Sequence, residues 1–326
     1  MEEGGRLSPY SFDAGDLPAD EVEIDVLACG ICHSDLSMLD NEWGLSQYPL
    51  VPGHEVIGTI AAVGEGVKNL RIGQVVGLGW VSRSCTTCRN CLGGDHNLCQ
   101  IESTVVARHG GFADKIRCQA LWAIPLPDGL TAQKAGPMFC GGLTVFNAIV
   151  QAGTRPTDRV GVVGIGGLGH LALQFLNKWG CEVTAFTSSE SKAEEARALG
   201  AHRIINSRSE EDLLAHADHF DLILSTVNVS LEWQHYLAAL APKGRLHVVG
   251  AALEPLPVAS FSLIGGQRSV SGSPVGSPLV TAQMLDFCAR HQIEATTEHF
   301  PMSQVNEALD HLRDGKARYR IVLDRD

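Results

Sequence analysis

The order of hydrophobic and polar positions differs between the first part of the chain and the part that follows it. Before residue 130, short alternating runs such as Glu21–Leu27 and Val56–Val63 are separated by Gly and Pro. A period of two predicts half-buried strands, and the frequent turn residues between them indicate a β-rich unit with a small barrel-like core.

From about Arg159, apolar strands alternate with helical stretches. Strands are predicted over residues 159–164, 181–187, 202–206, 221–226 and 245–250, with helices near 170–178, 191–199 and 231–240. This alternation is typical of a doubly wound parallel sheet. After Ser271 the chain is rich in turn residues, and we expect its last strand, RYRIVLD, to return to the first domain.

The length of 326 residues exceeds what a single hydrophobic core usually fills, which predicts about two domains. The predicted fold class is therefore α/β. We expect a β-rich domain formed by residues 1–146 and 273–326, and a domain with a parallel sheet over residues 147–272.

Composition and charge exclude several functional classes. With 44% hydrophobic and 19% charged residues, the chain is globular rather than disordered. The formal net charge of -12 repels polyanions, which argues against nucleic acid or an anionic membrane surface as a partner. The sequence lacks a basic N-terminal segment followed by an apolar one, and lacks an apolar run of about 18 residues. We therefore expect a cytoplasmic protein whose ten cysteines are metal ligands and buried thiols.

Four cysteines lie close together in one loop, at Cys85, Cys88, Cys91 and Cys99. Such short spacings let thiolates converge on one tetrahedral centre, and four thiolates form a closed structural zinc site with no position for substrate. An iron–sulfur cluster and four unrelated buried thiols are the alternatives, although ferredoxin-type spacings differ from this one. A zinc ribbon that binds nucleic acid requires basic flanks, and the basic residues here are offset by acidic ones.

A second candidate metal site is scattered along the chain. It consists of Cys32, His54 and Cys140, with Glu55 directly after His54. A catalytic zinc needs three protein ligands and one exchangeable position, often drawn from distant parts of a chain. Spacing alone leaves ordinary packing as the alternative for each of these residues.

A glycine-rich turn over residues 164–169 (GIGGLG) follows an apolar strand and precedes a predicted helix. In that context the glycines allow a tight turn and close approach of the backbone to a pyrophosphate, whose charge lies at the helix N-terminus. A purely structural turn is the alternative.

The end of the next strand indicates which nicotinamide cofactor binds. An NAD site usually presents an acidic residue there, whereas this chain has Ser188 and Ser189, with Lys192 close behind. Small hydroxyls and a lysine suit the 2'-phosphate of NADP(H). Glu190 follows the strand, where its side chain can point to solvent.

Taken together, these motifs resemble the zinc-containing medium-chain alcohol dehydrogenases, and most of all the cinnamyl-alcohol-dehydrogenase branch with its bacterial NADP-dependent aldehyde-reductase relatives. The segments CGICHSDL, YPLVPGHEVIGTIAAVG, the four-cysteine loop, FCGGLTVFNAI and the glycine-rich turn occur in the family's order and span nearly the whole chain. The resemblance implies a GroES-like catalytic domain, a Rossmann dinucleotide-binding domain, and hydride transfer between NADP(H) and a primary alcohol or aldehyde. With it we expect two zinc ions per chain, one catalytic and one structural, and a homo-oligomer, either a dimer or a tetramer.

The resemblance also implies roles for individual residues. Cys32, His54 and Cys140 would hold the catalytic zinc. Glu55 would be an alternate ligand, and Asp35 would fix the ring of His54. Ser34 would exchange a proton with the substrate oxygen, with a local backbone hydrogen bond as the alternative use of its hydroxyl. Cofactor-binding residues are expected at Thr144, Gly164, Gly166, Gly167, Leu168, Gly169, Ser188, Ser189, Lys192, Val249, Gly250 and Ser273.

The chain departs from the family in two places. Many relatives carry a His that completes the proton relay where this chain has Ser37, so the route of the proton to solvent is open. The stretch from Cys99 to Gly110 is also shorter than in many relatives. A further group, Trp43, Leu45 and Trp80, either forms an apolar wall for aromatic or medium-length aldehydes or serves ordinary packing.

Two other functions fit part of this sequence. A zinc polyol or formaldehyde-type dehydrogenase would differ in cofactor and substrate. A non-enzymatic scaffold that binds zinc or a nucleotide leaves Cys32, His54 and Cys140 unexplained. Metal analysis separates the enzyme from the scaffold, because the enzyme requires about two zinc ions per chain, and cofactor preference with an assay panel separates the two kinds of dehydrogenase.

The strand end at Ser188 predicts that NADP(H) is preferred over NAD(H). Replacing Lys192 by Ala should reduce the preference for NADP(H) over NAD(H), since the variant loses a positive charge near the 2'-phosphate. Steady-state kinetics with NADPH and NADH measure the preference of both proteins. If the unmodified protein uses NADH as well as NADPH, this interpretation of the strand end is wrong.

Overall fold

The computed structural model describes residues 5–101, 103–188 and 192–326. Contacts within the chain divide it into two units, one comprising Met1–Leu143 with Val275–Asp326 and the other Thr144–Pro274. The strands in the described residues are β1 (Glu21–Ile31), β2 (Val56–Val63), β3 (Val75–Leu78), β4 (Val81–Arg83), β5 (Ser103–Thr104), β6 (Lys115–Gln119), β7 (Ile124–Pro125), β8 (Arg159–Val163), β9 (Glu182–Thr187), β10 (Arg203–Asn206), β11 (Phe220–Ser225), β12 (Leu240–Val248), β13 (Ser269–Gly272), β14 (Thr297–Pro301) and β15 (Arg320–Asp324).

The helices are mostly short, and the longest belongs to the second half of the chain. In the described residues they are α1 (His33–Leu39), α2 (Arg89–Leu92), α3 (Ala132–Ala135), α4 (Gly141–Gln151), α5 (Gly169–Trp179), α6 (Ala193–Ala198), α7 (Glu210–Leu214), α8 (Trp233–Ala239), α9 (Ser260–Ile264), α10 (Pro278–His291) and α11 (Val305–Arg313). Over the same part of the chain, no helix combines the length and the apolar character needed to cross a membrane.

The first unit is organised around β1, which pairs antiparallel with β2, β6 and β15. Within the described residues the sheet has the order β14-β15-β1-β2-β3-β7, and β6 also pairs with β1. Alternate residues of β1, such as Val22, Ile24 and Val26, are fully buried in the core. The strand therefore packs as its period-two pattern predicts, and β15 brings residues near 320 beside residues near 30.

The second unit is a parallel sheet with the order β10-β9-β8-β11-β12-β13. Its strands run parallel at every pairing that the structure describes. Phe186, Phe220 and Tyr236 lie together in its core. The predicted fold class, a β-rich GroES-like unit with a Rossmann-type parallel sheet, is confirmed.

One predicted boundary in the second unit was wrong. The helix expected near 231–240 ends at Ala239, and the strand expected over 245–250 begins at Leu240. The helix thus ends within one residue of its predicted end, and Pro242, which lacks the N–H donor that a helix interior needs, lies in the strand that starts five residues early. Leu240 is instead fully buried and pairs with Phe220 at the start of β11.

A buried carboxylate joins three parts of the first unit. Glu21 is only 1% exposed, and its Oε1 accepts a hydrogen bond from Nη1 of Arg83 at 2.7 Å. Nη2 of Arg108 donates to both carboxylate oxygens, at 2.7 and 2.8 Å. Two arginines therefore compensate one buried charge, which links the start of β1 to the end of β4.

Replacing Glu21 by Gln should lower the free energy of unfolding by about 2 kcal/mol, because two guanidinium groups lose their counter-charge in a partly buried place. Urea denaturation measures the change. The matched control is Glu307→Gln, which removes a carboxylate from an exposed pair with Arg6 at 3.7 Å and should cost less than about 0.5 kcal/mol. An equal decrease in the free energy of unfolding in the two variants would show that the buried position of Glu21 adds nothing to stability.

Candidate functional site

Three scattered residues of the first unit meet at one buried point. Cys32 precedes α1, His54 lies just before β2, and Cys140 directly precedes α4. Nε2 of His54 is 3.3 Å from Sγ of Cys140, which is 3.8 Å from Sγ of Cys32. With one oxygen of Glu55, these ligand atoms all lie within 4.8 Å of one another. Residues up to 108 positions apart in the chain thus form one cluster.

Asp35 holds this cluster together through three hydrogen bonds. Its Oδ1 accepts from Nδ1 of His54 at 3.0 Å and from the backbone N–H of Gly53 at 2.9 Å. Its Oδ2 accepts from the backbone N–H of Cys32 at 2.9 Å. Because Nδ1 of His54 is committed to Asp35, Nε2 is the ring nitrogen that faces the sulfur of Cys140.

Glu55 is fully buried, and Arg320 forms an ion pair with its Oε1. Its second oxygen, Oε2, has no hydrogen-bond partner in the described part of the chain. A buried carboxylate oxygen without a partner is costly unless a ligand supplies one, and Oε2 is therefore free to coordinate a cation. Sequence reasoning missed Arg320. The available signal was an arginine at the start of the apolar strand RIVLD, where a buried acid is the usual partner.

The protonation of the cluster follows from its contacts. A hydrogen bond from the Cys140 thiol holds the pKa of Cys32 well below its usual range, and the same bond together with burial raises the pKa of Cys140. Burial opposes a charged His54 ring, but the charge of Asp35 outweighs it and raises the pKa of His54. Burial raises the pKa of Glu55, and the positive charge of Arg320 limits that rise. The site therefore favours a thiolate at Cys32, the form that binds metal.

Neighbouring predicted residues divide into those at the cluster and those away from it. Oγ of Ser34 lies 3.7 Å from Sγ of Cys32, so this hydroxyl lies at the cluster. Ser37 is buried one turn further along α1, and its hydroxyl donates to Oε2 of Glu42 at 2.7 Å. His33, although next to Cys32, is exposed.

The three apolar wall candidates do not form one group. The ring of Trp80 packs edge-on against His54, with centroids 4.9 Å apart, and Trp43 packs against Trp80 at 6.1 Å. Leu45 is 68% exposed. An aromatic pair therefore borders the metal ligand candidates, and Leu45 does not share that packing.

The four-cysteine loop forms a second, separate group. The sulfur atoms of Cys85, Cys88, Cys91 and Cys99 lie within 4.8 Å of one another. The backbone N–H groups of Thr87 and Cys88 donate to Sγ of Cys85, which lowers the pKa of that thiol to about 6. Burial and a hydrogen bond with Cys88 raise the pKa of Cys91 to about 12.

Both groups fit a zinc ion by the chemistry of their donors. Four converging sulfur atoms without a substrate position suit a closed structural site. Two sulfurs, one imidazole and a carboxylate oxygen that no described residue contacts by a hydrogen bond suit a site that exchanges one ligand. Backbone donors already stabilise thiolate charge at Cys85, so the loop is prepared to bind a cation.

The glycine-rich turn of the second unit has the predicted context. Gly164 directly follows β8 and has φ of +87°, a conformation that favours glycine, and α5 begins at Gly169. A Cβ atom on Gly169 would lie 1.9 Å from the carbonyl oxygen of Gly164, so the turn admits no side chain there. The turn therefore brings backbone N–H groups to the start of a helix, the arrangement that binds a pyrophosphate.

The other predicted cofactor residues belong to the second unit as well. Ser188 directly follows β9 and is exposed, and Nζ of Lys192 donates to the carbonyl oxygen of Ile165 in the glycine-rich turn at 3.4 Å. Ser189 and Glu190 lie outside the described residues. Val249 and Gly250 follow β12, and Ser273 follows β13. Thr144, on α4, is largely buried.

Comparison with known proteins gives matches over almost the whole chain. Residues 18–128 match the family described as alcohol dehydrogenase GroES-like domain, and residues 167–290 match the family described as zinc-binding dehydrogenase. The chain is 55% identical to aldehyde reductase AdhA of Synechocystis sp., over 99% of this chain and 96% of that protein.

Solved structures give the same result. The cinnamyl alcohol dehydrogenase SbCAD4 of Sorghum bicolor is 39% identical, with a TM-score of 0.93 over 98% of this chain and 94% of that one. The structure of CAD from Helicobacter pylori complexed with NADP(H) is 29% identical, with a TM-score of 0.90 over 99% of this chain and 95% of that one. Fold and sequence thus agree over both units.

Replacing Cys91 by Ser should remove about one of two zinc ions per chain and lower the free energy of unfolding by at least about 2 kcal/mol, because a closed thiolate site contributes folding energy. Metal analysis and urea denaturation measure both effects. In the matched control, Cys118→Ser, a buried thiol outside both groups is changed, and the full metal content should remain. A Cys91→Ser variant that retains all its zinc contradicts the assignment.

Proposed function

This chain belongs to the family of zinc-binding alcohol dehydrogenases, and we propose that it interconverts aldehydes and primary alcohols with NADP(H) as the hydride carrier. The observation that carries the proposal is the buried grouping of Cys32, His54 and Cys140 beside a Glu55 oxygen that has no partner among the residues the structure describes. Support comes from relatives named aldehyde reductase and cinnamyl alcohol dehydrogenase, and from a related structure complexed with NADP(H).

Cys32, His54 and Cys140 would hold the catalytic zinc, and Cys85, Cys88, Cys91 and Cys99 the structural one. When bound, zinc supplies a Lewis acid that polarises the substrate oxygen, and the nicotinamide supplies or accepts the hydride. Asp35 keeps the His54 ring in one orientation and one tautomer. Glu55 is the alternate ligand, since Arg320 occupies only one of its two carboxylate oxygens.

Ser34 is the residue we assign to proton exchange with the substrate. Its hydroxyl lies at the cluster, 3.7 Å from Sγ of Cys32, and is half-buried, so it can both accept and donate a hydrogen bond there. Ser37 is engaged with the exposed carboxylate of Glu42 and does not titrate near neutral pH. We therefore assign the exchange to Ser34 and no titrating role to Ser37.

The substrate class follows from the surroundings of the ligands. An aromatic pair, Trp80 against His54 and Trp43 against Trp80, favours aldehydes with an aromatic or medium-length apolar group. For the cofactor, Ser188, Ser189 and Lys192 offer hydroxyls and a positive charge to a 2'-phosphate. The dinucleotide would lie against the glycine-rich turn and the residues that follow β12 and β13, together with Thr144.

We further propose that the protein is a cytoplasmic homo-oligomer, a dimer or a tetramer. In the described residues, β13 lies at an edge of the parallel sheet. Phe261 and Ile264 on α9, shortly before this strand, are 86% and 68% exposed. An unpaired strand edge next to exposed apolar side chains is the kind of surface that a second copy covers.

The test is an activity screen with NADPH and a panel of aldehydes, in which the unmodified protein should reduce aromatic or medium-length aldehydes. Replacing His54 by Ala should lower turnover at least about 100-fold, since a ligand is lost from the catalytic zinc. NADPH binding and the zinc of the four-cysteine loop should persist, which metal analysis and a fluorescence titration check.

His33→Ala is the matched control, because His33 is an exposed histidine beside Cys32. Its turnover should stay within about twofold of the parent, because the His33 side chain is exposed and does not belong to the group of candidate ligands. Near-normal turnover in a folded His54→Ala variant would remove His54 from the site. Absence of aldehyde reduction with NADPH by the parent would overturn the proposed function itself.

A further inference from the structure

Strands β12 and β13 carry a row of polar pairs on one face. Ser269, Ser271 and Ser273 alternate along the chain, so their side chains share a face while β13 stays extended. Opposite them, Arg245 is in register with Ser269, and His247 with Ser271. Nε of Arg245 donates to Oγ of Ser269 at 3.2 Å, and Nδ1 of His247 lies 2.9 Å from Oγ of Ser271.

His247 also reaches the next serine, beyond the end of β13. Its Nε2 lies 2.9 Å from Oγ of Ser273, and the ring is only 1% exposed. The following carbonyl, of Pro274, accepts a hydrogen bond from the buried Asn147 amide at 2.9 Å. Two buried side chains therefore fix the short segment that leaves the strand.

This segment lies at the edge of the sheet where a dinucleotide is expected. Neighbouring strands β12 and β13 are parallel, so the residues after both strands lie at the carboxyl edge, as does the glycine-rich turn after β8. Ligands of open parallel sheets bind outside this edge. Gly250, after β12, has no room for a side chain, since a Cβ would lie 1.9 Å from the carbonyl oxygen of Val227.

The ring of His247 is neutral at physiological pH, because burial and the nearby charge of Arg245 lower its pKa to about 4. A neutral imidazole has one N–H donor and one acceptor nitrogen. One of the two hydroxyls, Ser271 or Ser273, must therefore accept a hydrogen bond from the ring, and the other must donate one to it. The ring thus dictates which way the Ser273 hydroxyl points, and with it the orientation of the segment.

We propose that His247 is a positioning residue for NADP(H): through Ser273 it holds the segment after β13 in the orientation that receives the cofactor. The inference rests on the proposed use of NADP(H). His247 itself touches no cofactor in this view, since it is buried behind Ser273.

Replacing His247 by Gln or by Asn gives a matched test, because the two side chains carry the same amide at different lengths. The amide of Gln reaches the place of Nε2 and keeps the bond to Ser273, whereas that of the shorter Asn reaches the place of Nδ1 and keeps only the bond to Ser271. The fluorescence titration of the zinc-loaded protein with NADPH gives Kd for each variant. His247→Asn should raise Kd about three- to tenfold, the effect of one hydrogen bond, and His247→Gln should stay within about twofold.

Ser269→Ala is the control on the same face of the same strand, and its Kd should equal that of the parent. Combining His247→Asn with Ser273→Ala should raise Kd no further than Ser273→Ala alone, because without the Ser273 hydroxyl the residue at position 247 has no bond to that serine left to lose. Melting temperatures of the Asn and Gln variants should agree, so that loss of fold cannot explain the difference.

Equal NADPH affinity in the Asn and Gln variants, or an additive double variant, would overturn the positioning role while the proposed function stands. If the parent fails to bind NADPH at all, the proposed function falls, and this inference falls with it.

Discussion

The buried carboxylate of Asp35 is the constraint on which the first unit's site depends. It accepts hydrogen bonds from the backbone of Cys32 and Gly53 and from the ring of His54, and it has no exposure to solvent. One side chain thereby fixes the start of α1 against the segment that precedes β2. Since an unpaired carboxylate at this depth is strongly unfavourable, these three donors stay in place together, and the candidate ligands are positioned by the protein itself.

The two sulfur-containing groups achieve convergence in different ways. In the four-cysteine loop, short spacings and local N–H donors at Thr87 and Cys88 gather the sulfur atoms within one segment. In the scattered cluster, convergence depends on the sheet, which places Cys32, His54 and Cys140 together, and on charge balance between Glu55 and Arg320. The first arrangement is a local property of the chain, and the second is a property of the whole unit.

Features that depend on residues close together in the chain could be predicted from the sequence, whereas contacts between residues far apart in the chain could not. The alternation over Val56–Val63 predicted β2 residue for residue, and the fold class is confirmed. The four-cysteine spacing also pointed to a compact group. In contrast, no spacing relates Arg320 to Glu55 or His247 to Ser273, because those contacts arise from strand pairing. Each scattered ligand candidate, seen alone, was compatible with ordinary packing, and its role stays a prediction.

The pairing of Glu55 with Arg320 has a consequence for biosynthesis. The two residues are 265 positions apart, so the ribosome completes the whole second unit before the guanidinium emerges from the exit tunnel. Until then Glu55 lacks the guanidinium that balances its charge in the folded unit. The pairing of β15 with β1, which supplies Arg320, therefore follows synthesis of the whole second unit, whereas the four cysteines lie within one loop that is synthesised much earlier.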